Sequence, residues 1–468
     1  MTTTSGSVPT AAQLDQLRRS FTGEVITADS SGYDDARRLW NAIHDRRPAV
    51  ILRPTNADEV ATAIRFGREH DLEIAVQSGG HSALGIGGHD GGLVVDLSAM
   101  RGVTADGRTR TARASGGALL GELDVAAQAY GLVCPIGVIG HTGVAGLTLG
   151  GGVGRLQRQF GLTIDNLVAI ELVTADGRHV RATETEEPDL FWGMRGAGWN
   201  FGIATAFEFR LQPFGPDLHR GLMVFPATRA RDVWATFREY AATAPDSMAM
   251  IFGLDRAGAD DGFHEDHVGK PIAYVAFNHS GDADAVERDI AGLRAGPKPV
   301  TSSLTSQPYL EVQTAHDLAL GWGSRSTIMS CNATDLDPDV LDEVVDAVAT
   351  APDGATFSVT ALGGAVGRVG EDETAYAGRN ARFDLSADSG WADPALDIAN
   401  REWAQRVLAM VEPEAPMGRY ANGHAEAGPE LTRAIYGDAK LARLTALKRT
   451  WDPDNVFHVN HNIEPATA

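Results

Sequence analysis

A histidine follows two adjacent glycines in the segment Val76–His81, which reads Val-Gln-Ser-Gly-Gly-His. The largely apolar run Leu72–Val76 before it is typical of the end of a strand. Glycines let a backbone turn sharply and approach a ligand, and successive N–H groups form a concavity that binds phosphate oxygens. A histidine beside such a loop would lie close to a bound nucleotide. The residues predicted to bind a ligand here are Gln77, Ser78, Gly79, Gly80, His81, Ser82 and Gly85.

Glycine is concentrated around this loop. Between Gly79 and Gly154, 21 of 76 residues are glycine, against 32 of the other 392. The densest part, Gly150–Gly154, lacks the Gly-x-Gly-x-x-Gly spacing of a dinucleotide-binding fingerprint. A nicotinamide-dependent enzyme is therefore not favoured.

Other short motifs follow one another along the chain in a characteristic order. They include Arg53-Pro54, Ser78-Gly79-Gly80-His81, Val95-Asp96-Leu97, Gly146–Gly154, Asp165-Asn166, Val173–Gly177, Asp189–Trp192 and Arg195–Gly198. In this order they resemble the PCMH-type FAD-binding domain of the vanillyl-alcohol oxidase superfamily. Within it, the berberine-bridge-enzyme-like and hydroxynicotine-oxidase-like flavoproteins are the most similar groups.

The resemblance implies an α+β fold with two domains, a PCMH-type FAD-binding domain and an antiparallel-sheet substrate domain. Residues 1–215, with a core at 44–213, are expected to bind FAD, residues 216–415 to form the substrate domain, and 416–468 to return to the FAD domain. The residue patterns agree. The strand–helix–strand order before His81 places its loop at the carboxyl end of a strand. Alternating runs after residue 216 predict an antiparallel sheet with helices on one face.

The composition and charge of the chain argue against several classes of function. The formal net charge of −22 argues against binding nucleic acid or an anionic membrane surface. Two cysteines form no disulfide framework or thiolate zinc cluster, and His264 and His267 are poorly placed as metal ligands, so we expect no metal site. No secretory signal pattern and no apolar run of 18 residues is present, which predicts a cytoplasmic protein. The oligomeric state stays open.

The resemblance implies that His81 is attached covalently to the 8α-methyl group of FAD, which requires a neutral imidazole. Cys134 is a possible second tether, because Cys134-Pro135 resembles a cysteine segment of some relatives. Counted without gaps, however, the tether position falls on Ile139, so the alternative is a buried free cysteine that acts as a small hydrophobe. Further implied FAD-binding residues are Thr142, Gly143, Gly146, Leu149, Gly150, Gly151, Gly152, Gly154, Asn200, Gly202, Ile203, Asn422, Asn460 and Asn462.

Tyr420 and Asn422 resemble a Tyr-x-Asn pair that reaches the flavin. Tyr420 is the predicted base, and since a phenol has a pKa near ~10, Arg325 or His424 is expected to lower it. The alternative is a structural phenol. The implied activity is an oxidase that takes hydride from an alcohol, hemiacetal or amine carbon of a small molecule and reduces O2 to H2O2. A dehydrogenase with another acceptor, and a flavin-binding protein without a redox role, are the alternatives.

Overall fold

The computed structural model describes residues 8–258, 268–413 and 417–466, so His264 and His267 lie outside the described part. Strands and short helices alternate in the first 213 residues. The helices are α1 (Ala11–Arg18), α2 (Tyr33–Ala36), α3 (Ala57–Glu69), α4 (Leu120–Gln128), α5 (Val144–Leu149), α6 (Gln157–Phe160) and α7 (Pro188–Ala197). The strands are β1 (Glu24–Ile26), β2 (Val50–Arg53), β3 (Ile74–Gln77), β4 (Leu93–Asp96), β5 (Val103–Asp106), β6 (Thr111–Ser115), β7 (Leu132–Val133), β8 (Leu167–Val173), β9 (His179–Thr183), β10 (Ile203–Arg210) and β11 (Gln212–Pro213).

Two sheets organise this part. The first has the order β1-β2-β4-β3, with β2, β4 and β3 parallel. Helix α3 connects β2 to β3: the Asn56 side chain accepts from the N–H of Glu59, and Val60 and Ile64 bury the apolar side of the helix. The second sheet has the order β5-β6-β10-β8-β9 and is antiparallel. In the first sheet, strand β3 ends at Gln77, and the glycine loop begins there.

The next part of the chain builds a seven-stranded antiparallel sheet of order β15-β12-β14-β13-β17-β18-β16. Its strands are β12 (Asp217–Pro226), β13 (Met248–Arg256), β14 (Pro271–His279), β15 (Thr301–Pro308), β16 (Arg325–Ala333), β17 (Ala355–Ala361) and β18 (Phe383–Trp391). Its helices are α8 (Ala230–Ala241), α9 (Ala283–Asp289), α10 (Ala291–Arg294), α11 (Tyr309–Thr314), α12 (Pro338–Ala349), α13 (Ala365–Arg368) and α14 (Asp397–Val411).

One face of this sheet is apolar and is covered by helices. Phe252, Phe357 and Phe383 on the strands pack with Trp234 of α8 and Trp403 of α14 in one buried cluster. Alternate residues of the same strands point to the opposite face, since successive side chains of a strand alternate. The prediction of a sheet with helices on one face is confirmed.

The last helix, α15 (Pro429–Trp451), packs against the first part of the chain. Ile435 and Leu444 share a buried cluster with Phe191 and Phe207. The buried Lys448 ammonium contacts the Asp452 carboxylate at 2.6 Å and donates to the carbonyl of Asn200 at 2.8 Å. Among the described residues, no helix is long and apolar enough to cross a membrane.

Two elements of the structure were not predicted. Helix α5 forms within the glycine-rich patch. Strand β18 was not predicted, although it is the strand between β17 and β16 in the large sheet.

Candidate active site

A cavity lies where the glycine loop, helix α5 and the C-terminal segment meet, and it encloses about 1200 Å³ of empty space, including the part open to solvent. The predicted site residues that line it are Gln77, Ser78, Gly79, Gly80, His81, Ser82, Thr142, Gly143, Gly146, Leu149, Gly202, Ile203, Tyr420, Asn422, His424 and Asn460. Residues from several distant stretches of sequence thus meet at one site.

The loop of residues 78–82 presents unused hydrogen-bond donors. None of its five backbone N–H groups has an acceptor among the described residues. The loop is held in place because the Ser78 hydroxyl donates to the Gly116 carbonyl at 2.8 Å. It also packs tightly on the start of α5: a Cβ on Gly79 would lie 2.1 Å from the backbone N of Gly143. Free N–H groups in a fixed concavity are the arrangement that binds phosphate.

The His81 ring is fixed by aromatic neighbours. It stacks on Trp40, with ring centroids 4.8 Å apart and planes 19° from parallel, and Trp322 meets it edge-on at 6.2 Å. Its Nε2 lies 2.6 Å from Nδ1 of His141. Burial, assisted by His141, lowers the pKa of His81 to about 3. The imidazole is therefore neutral at physiological pH, as attachment to a cofactor requires.

Several buried polar atoms at the cavity have no partner among the described residues. They are Gln77 Oε1, His424 Nε2, Asn460 Oδ1 and His461 Nδ1. Buried polar atoms are almost always hydrogen-bonded, so these four atoms, which share one cavity, are available to bond a ligand there. Together with the free N–H groups of the loop, these donors and acceptors fit a nucleotide cofactor such as FAD, with a phosphate end and a heteroaromatic end.

Tyr420 lies at the cavity with its oxygen held by two donors. The Asn422 amide donates to it at 3.0 Å and the backbone N–H of Val153 at 3.3 Å. The expected lowering of its pKa is wrong: burial raises the pKa of Tyr420 despite these donors, and the Asp384 carboxyl adds to the rise.

Neither of the two groups expected to lower the pKa of Tyr420, Arg325 and His424, supplies a positive charge at the cavity. The Arg325 guanidinium forms a salt bridge with Asp397 and donates to the Ala42 carbonyl at 3.0 Å, and it does not line the cavity. His424 does line the cavity, but burial lowers its pKa well below the ordinary value, so it carries no charge near neutral pH.

Other predicted residues also lie outside the cavity, because packing occupies them. The Asn200 side chain accepts from the N–H of Ile463 at 3.0 Å and anchors the C-terminal segment. Cys134 is completely buried in an apolar cluster, and burial raises its pKa well above the ordinary value. A Cβ on Gly152 would lie 2.2 Å from Thr163 Oγ1. The predicted residues outside the cavity are Gly85, Cys134, Gly150, Gly151, Gly152, Gly154, Asn200, Asn462 and Arg325.

A strip of polar side chains on the large sheet was not predicted. Asp384 of β18 pairs in register with Asn332 of β16 and Thr360 of β17, and Ser386 pairs with Ser330 and Ser358. Side chains paired directly across antiparallel strands share a face. These six residues, which we name the polar strip, therefore lie opposite the apolar face.

The polar strip meets the segment that carries Tyr420. A Cβ on Gly423 would lie 2.8 Å from Ser330 Oγ, and the backbone of Met329 bridges that of His424. Burial raises the pKa of Asp384 to about 7. It raises the pKa of Asp388, four residues further along β18, to about 6. Both carboxyls are thus able to exchange protons near neutral pH.

Sequence interpretation also missed Trp40, His141, Trp199 and His461, each of which is at or against the cavity. The Asp-x-Ser-x-Asp alternation at 384–388 was a usable strand signal, since its period of two differs from that of a helix. Nothing local marks Trp40 or His141, because both act through contacts with a loop distant in sequence.

A cavity with a loop of free N–H groups, a neutral histidine and titratable groups on an adjoining sheet fits a flavoprotein oxidoreductase. Comparison with known proteins agrees. A family model described as an FAD binding domain matches residues 48–183, and one described as berberine and berberine like matches residues 419–464.

Relatives match over nearly the whole chain. The (R)-6-hydroxynicotine oxidase of Paenarthrobacter nicotinovorans is 30% identical over 458 residues, covering 95% of this chain and 97% of the relative. A crystal structure of 6-hydroxy-D-nicotine oxidase from Arthrobacter nicotinovorans is 28% identical with a TM-score of 0.84, covering 95% and 98%. A glucooligosaccharide oxidase of Acremonium strictum with a 6-S-cysteinyl, 8α-N1-histidyl FAD shares the fold, at 24% identity and a TM-score of 0.86, covering 97% and 100%. The chain belongs to the FAD-linked oxidoreductases of the vanillyl-alcohol oxidase superfamily, with berberine-bridge-like features.

Proposed function

We propose that the protein is an oxidase that removes two electrons and a proton, as hydride, from a carbon next to oxygen or nitrogen in a small molecule. FAD, when bound, takes up these electrons and passes them to O2, which yields hydrogen peroxide. The observation that carries the proposal is that Tyr420, held by two N–H donors, lines the cavity while the segment after it packs on the polar strip. A substrate that binds beside Tyr420 would be next to the cofactor site.

The protein supplies proton transfer. The Tyr420 oxygen accepts two N–H donors, from Asn422 and Val153, which stabilise a phenolate as it forms. Because burial raises the Tyr420 pKa, the resting phenol stays protonated and needs an acceptor for its proton. Asp384 is proposed as that acceptor, because its carboxyl acts electrostatically on Tyr420 and its pKa of about 7 matches neutral operating conditions.

The cofactor is proposed to be attached through His81 alone. Its neutral ring faces the cavity beside the free N–H groups of the loop, which supports this role. Cys134 is enclosed by apolar side chains and stays a thiol, so the double linkage of the glucooligosaccharide oxidase is not proposed for this chain.

The polar strip limits the substrate. The Asn332 amide has no hydrogen-bond partner among the described residues, and Ser330 and Asp384 of the same strip bond each other. A small ligand with several hydrogen-bonding groups, such as a hydroxylated heterocycle, an amino alcohol or a sugar, fits such a surface. The hydroxynicotine oxidase relative supports the heterocyclic class.

The experiment is a two-stage reaction on the purified yellow protein. Candidate amines, hydroxy-heterocycles and sugars are mixed with it without oxygen, and bleaching of the flavin absorbance identifies a substrate. Air is then admitted and peroxide is measured. Bleaching followed by stoichiometric peroxide supports an oxidase. If the bleached flavin is reoxidised only by a quinone or dye, the protein is a dehydrogenase and not an oxidase. Purification of the protein without flavin would contradict the proposal altogether.

A further inference from the structure

The contacts of His141 fix the proton positions of His81. His141 Nε2 lies 3.2 Å from the backbone carbonyl of Asp317, which only accepts hydrogen bonds. In neutral His141 the proton must therefore be on Nε2, and its Nδ1 carries the lone pair. Since that Nδ1 lies 2.6 Å from His81 Nε2, His81 Nε2 is the donor in this bond.

It follows that the lone pair of neutral His81 is on Nδ1. No hydrogen bond to His81 Nδ1 is found among the described residues, so this nitrogen is free to react. The ring rotates little, because it stacks on Trp40 and meets Trp322 edge-on. Burial keeps the His81 pKa at about 3, which maintains the lone pair across the physiological range.

The hydrogen-bonded series Asp317–His141–His81 is held in place by further hydrogen bonds. The Asp317 carboxylate accepts from the backbone N–H of Gly140 at 2.8 Å, which ties the residue before His141 to the segment after α11. The indole N–H of Trp40 donates to the Leu320 carbonyl at 2.7 Å in the same segment. The segment Asp317–Trp322 therefore positions Trp40 and His141 and also supplies Trp322, the third neighbour of the His81 ring.

We propose that His141 is the positioning residue and proton acceptor for covalent attachment of FAD, and that it directs the linkage to His81 Nδ1. The inference rests on the proposed attachment through His81. In the step, His81 Nδ1 forms a bond to the 8α carbon while a C–H bond of that carbon breaks and releases a proton. The electron pair of that C–H bond remains on the flavin ring. The proton of His81 Nε2 passes to His141 Nδ1, and dioxygen later takes up two electrons and two protons to give hydrogen peroxide.

Three substitutions of full-length protein separate the two roles of His141. His141→Ala removes both the orientation and the proton acceptor. His141→Gln retains an acceptor for the His81 Nε2–H and a donor to the Asp317 carbonyl, but it is not a base. His44→Ala is the matched control, because the His44 ring bonds the Ala83 carbonyl after the same loop and does not touch the His81 ring.

Each variant is incubated with FAD in air, and covalent flavin is followed by fluorescence of the denatured protein band. The flavinylated peptide is then isolated, and NMR assigns the linked nitrogen. We expect attachment to slow about tenfold or more in both His141 variants. The linkage should stay on Nδ1 in His141→Gln and become mixed in His141→Ala, whereas His44→Ala should match the wild type.

Attachment at the wild-type rate and through one nitrogen in His141→Ala would overturn this inference and leave the proposed oxidase intact. Linkage through Nε2 in the wild type would overturn it as well. A wild-type protein that binds FAD but holds none covalently would instead reject the His81 attachment on which the inference rests.

Discussion

Replacing Asp384 by asparagine tests whether a buried carboxyl is retained for catalysis although it destabilises the fold. Burial raises the pKa of Asp384 from 3.8 to about 7. Between these values the unfolded chain has lost the proton that the folded protein still binds. Because the native state then binds more protons, the free energy of unfolding falls as the pH rises through this range.

The size of the effect follows from the shift. About three pH units, at about 1.4 kcal/mol each, give a loss of about 4 kcal/mol between pH 4 and pH 8. Asparagine has the same shape without a charge, so Asp384→Asn should remove this loss. Asp388, whose pKa burial raises to about 6, contributes about 3 kcal/mol in the same direction and remains in the variant.

Urea unfolding of the flavin-loaded protein at pH 5 and pH 8, followed by tryptophan fluorescence, measures the difference. Asp384→Asn should be less pH-sensitive than the wild type and more stable at pH 8, while turnover falls about 10²–10⁴-fold through loss of the proton acceptor. Asp217→Asn, an exposed aspartate on the same sheet, should leave both properties unchanged. Equal pH sensitivity of Asp384→Asn and wild type, or undiminished turnover, would refute this account.

Further substitutions test the cofactor site and the packing around it. Gly79→Ala should yield protein without flavin absorbance, because its Cβ would lie 2.1 Å from the backbone N of Gly143. Arg379→Ala should lower the free energy of unfolding by about 3–5 kcal/mol in urea titrations, since it leaves the buried Asp165 carboxylate, 2.7 Å away, unpaired. Cys134→Ala should cost about 1–2 kcal/mol through lost packing and leave the flavin on the denatured band, whereas His81→Ala should release it; flavin that stays covalently attached in His81→Ala would restore the second tether.

The cofactor loop was predictable because its functional residues are contiguous in the sequence. Residues 77–82 follow the end of a strand directly, so one short motif specifies both the turn and its free N–H groups. The second glycine patch was less informative. Glycine serves equally where a ligand approaches and where two backbones touch, and Gly154, whose Cβ would lie 1.8 Å from the Ile136 carbonyl, is of the second kind. Only the fold distinguishes the two uses.

The polar strip was missed for a different reason. Its members come from three strands that are far apart in sequence, and Asp384 gains its properties from burial between them. A search for apolar runs passes over β18, because its inward and outward residues alternate between apolar and polar. Likewise, Trp40 and His141 become part of the site only through the ring of His81.

Two histidines that line the cavity share one property that neither motif reveals: they are held neutral. Burial lowers the pKa of His81 to about 3 and that of His461 to about 4. A site without fixed charge from these groups gives no counter-ion to a charged substrate, whose desolvation would then be costly. It binds neutral molecules instead, and charge that develops during turnover is stabilised by aligned N–H groups such as those on the Tyr420 oxygen. An amine substrate would accordingly be oxidised in its unprotonated form, whereas an alcohol would bind equally well on either side of neutrality.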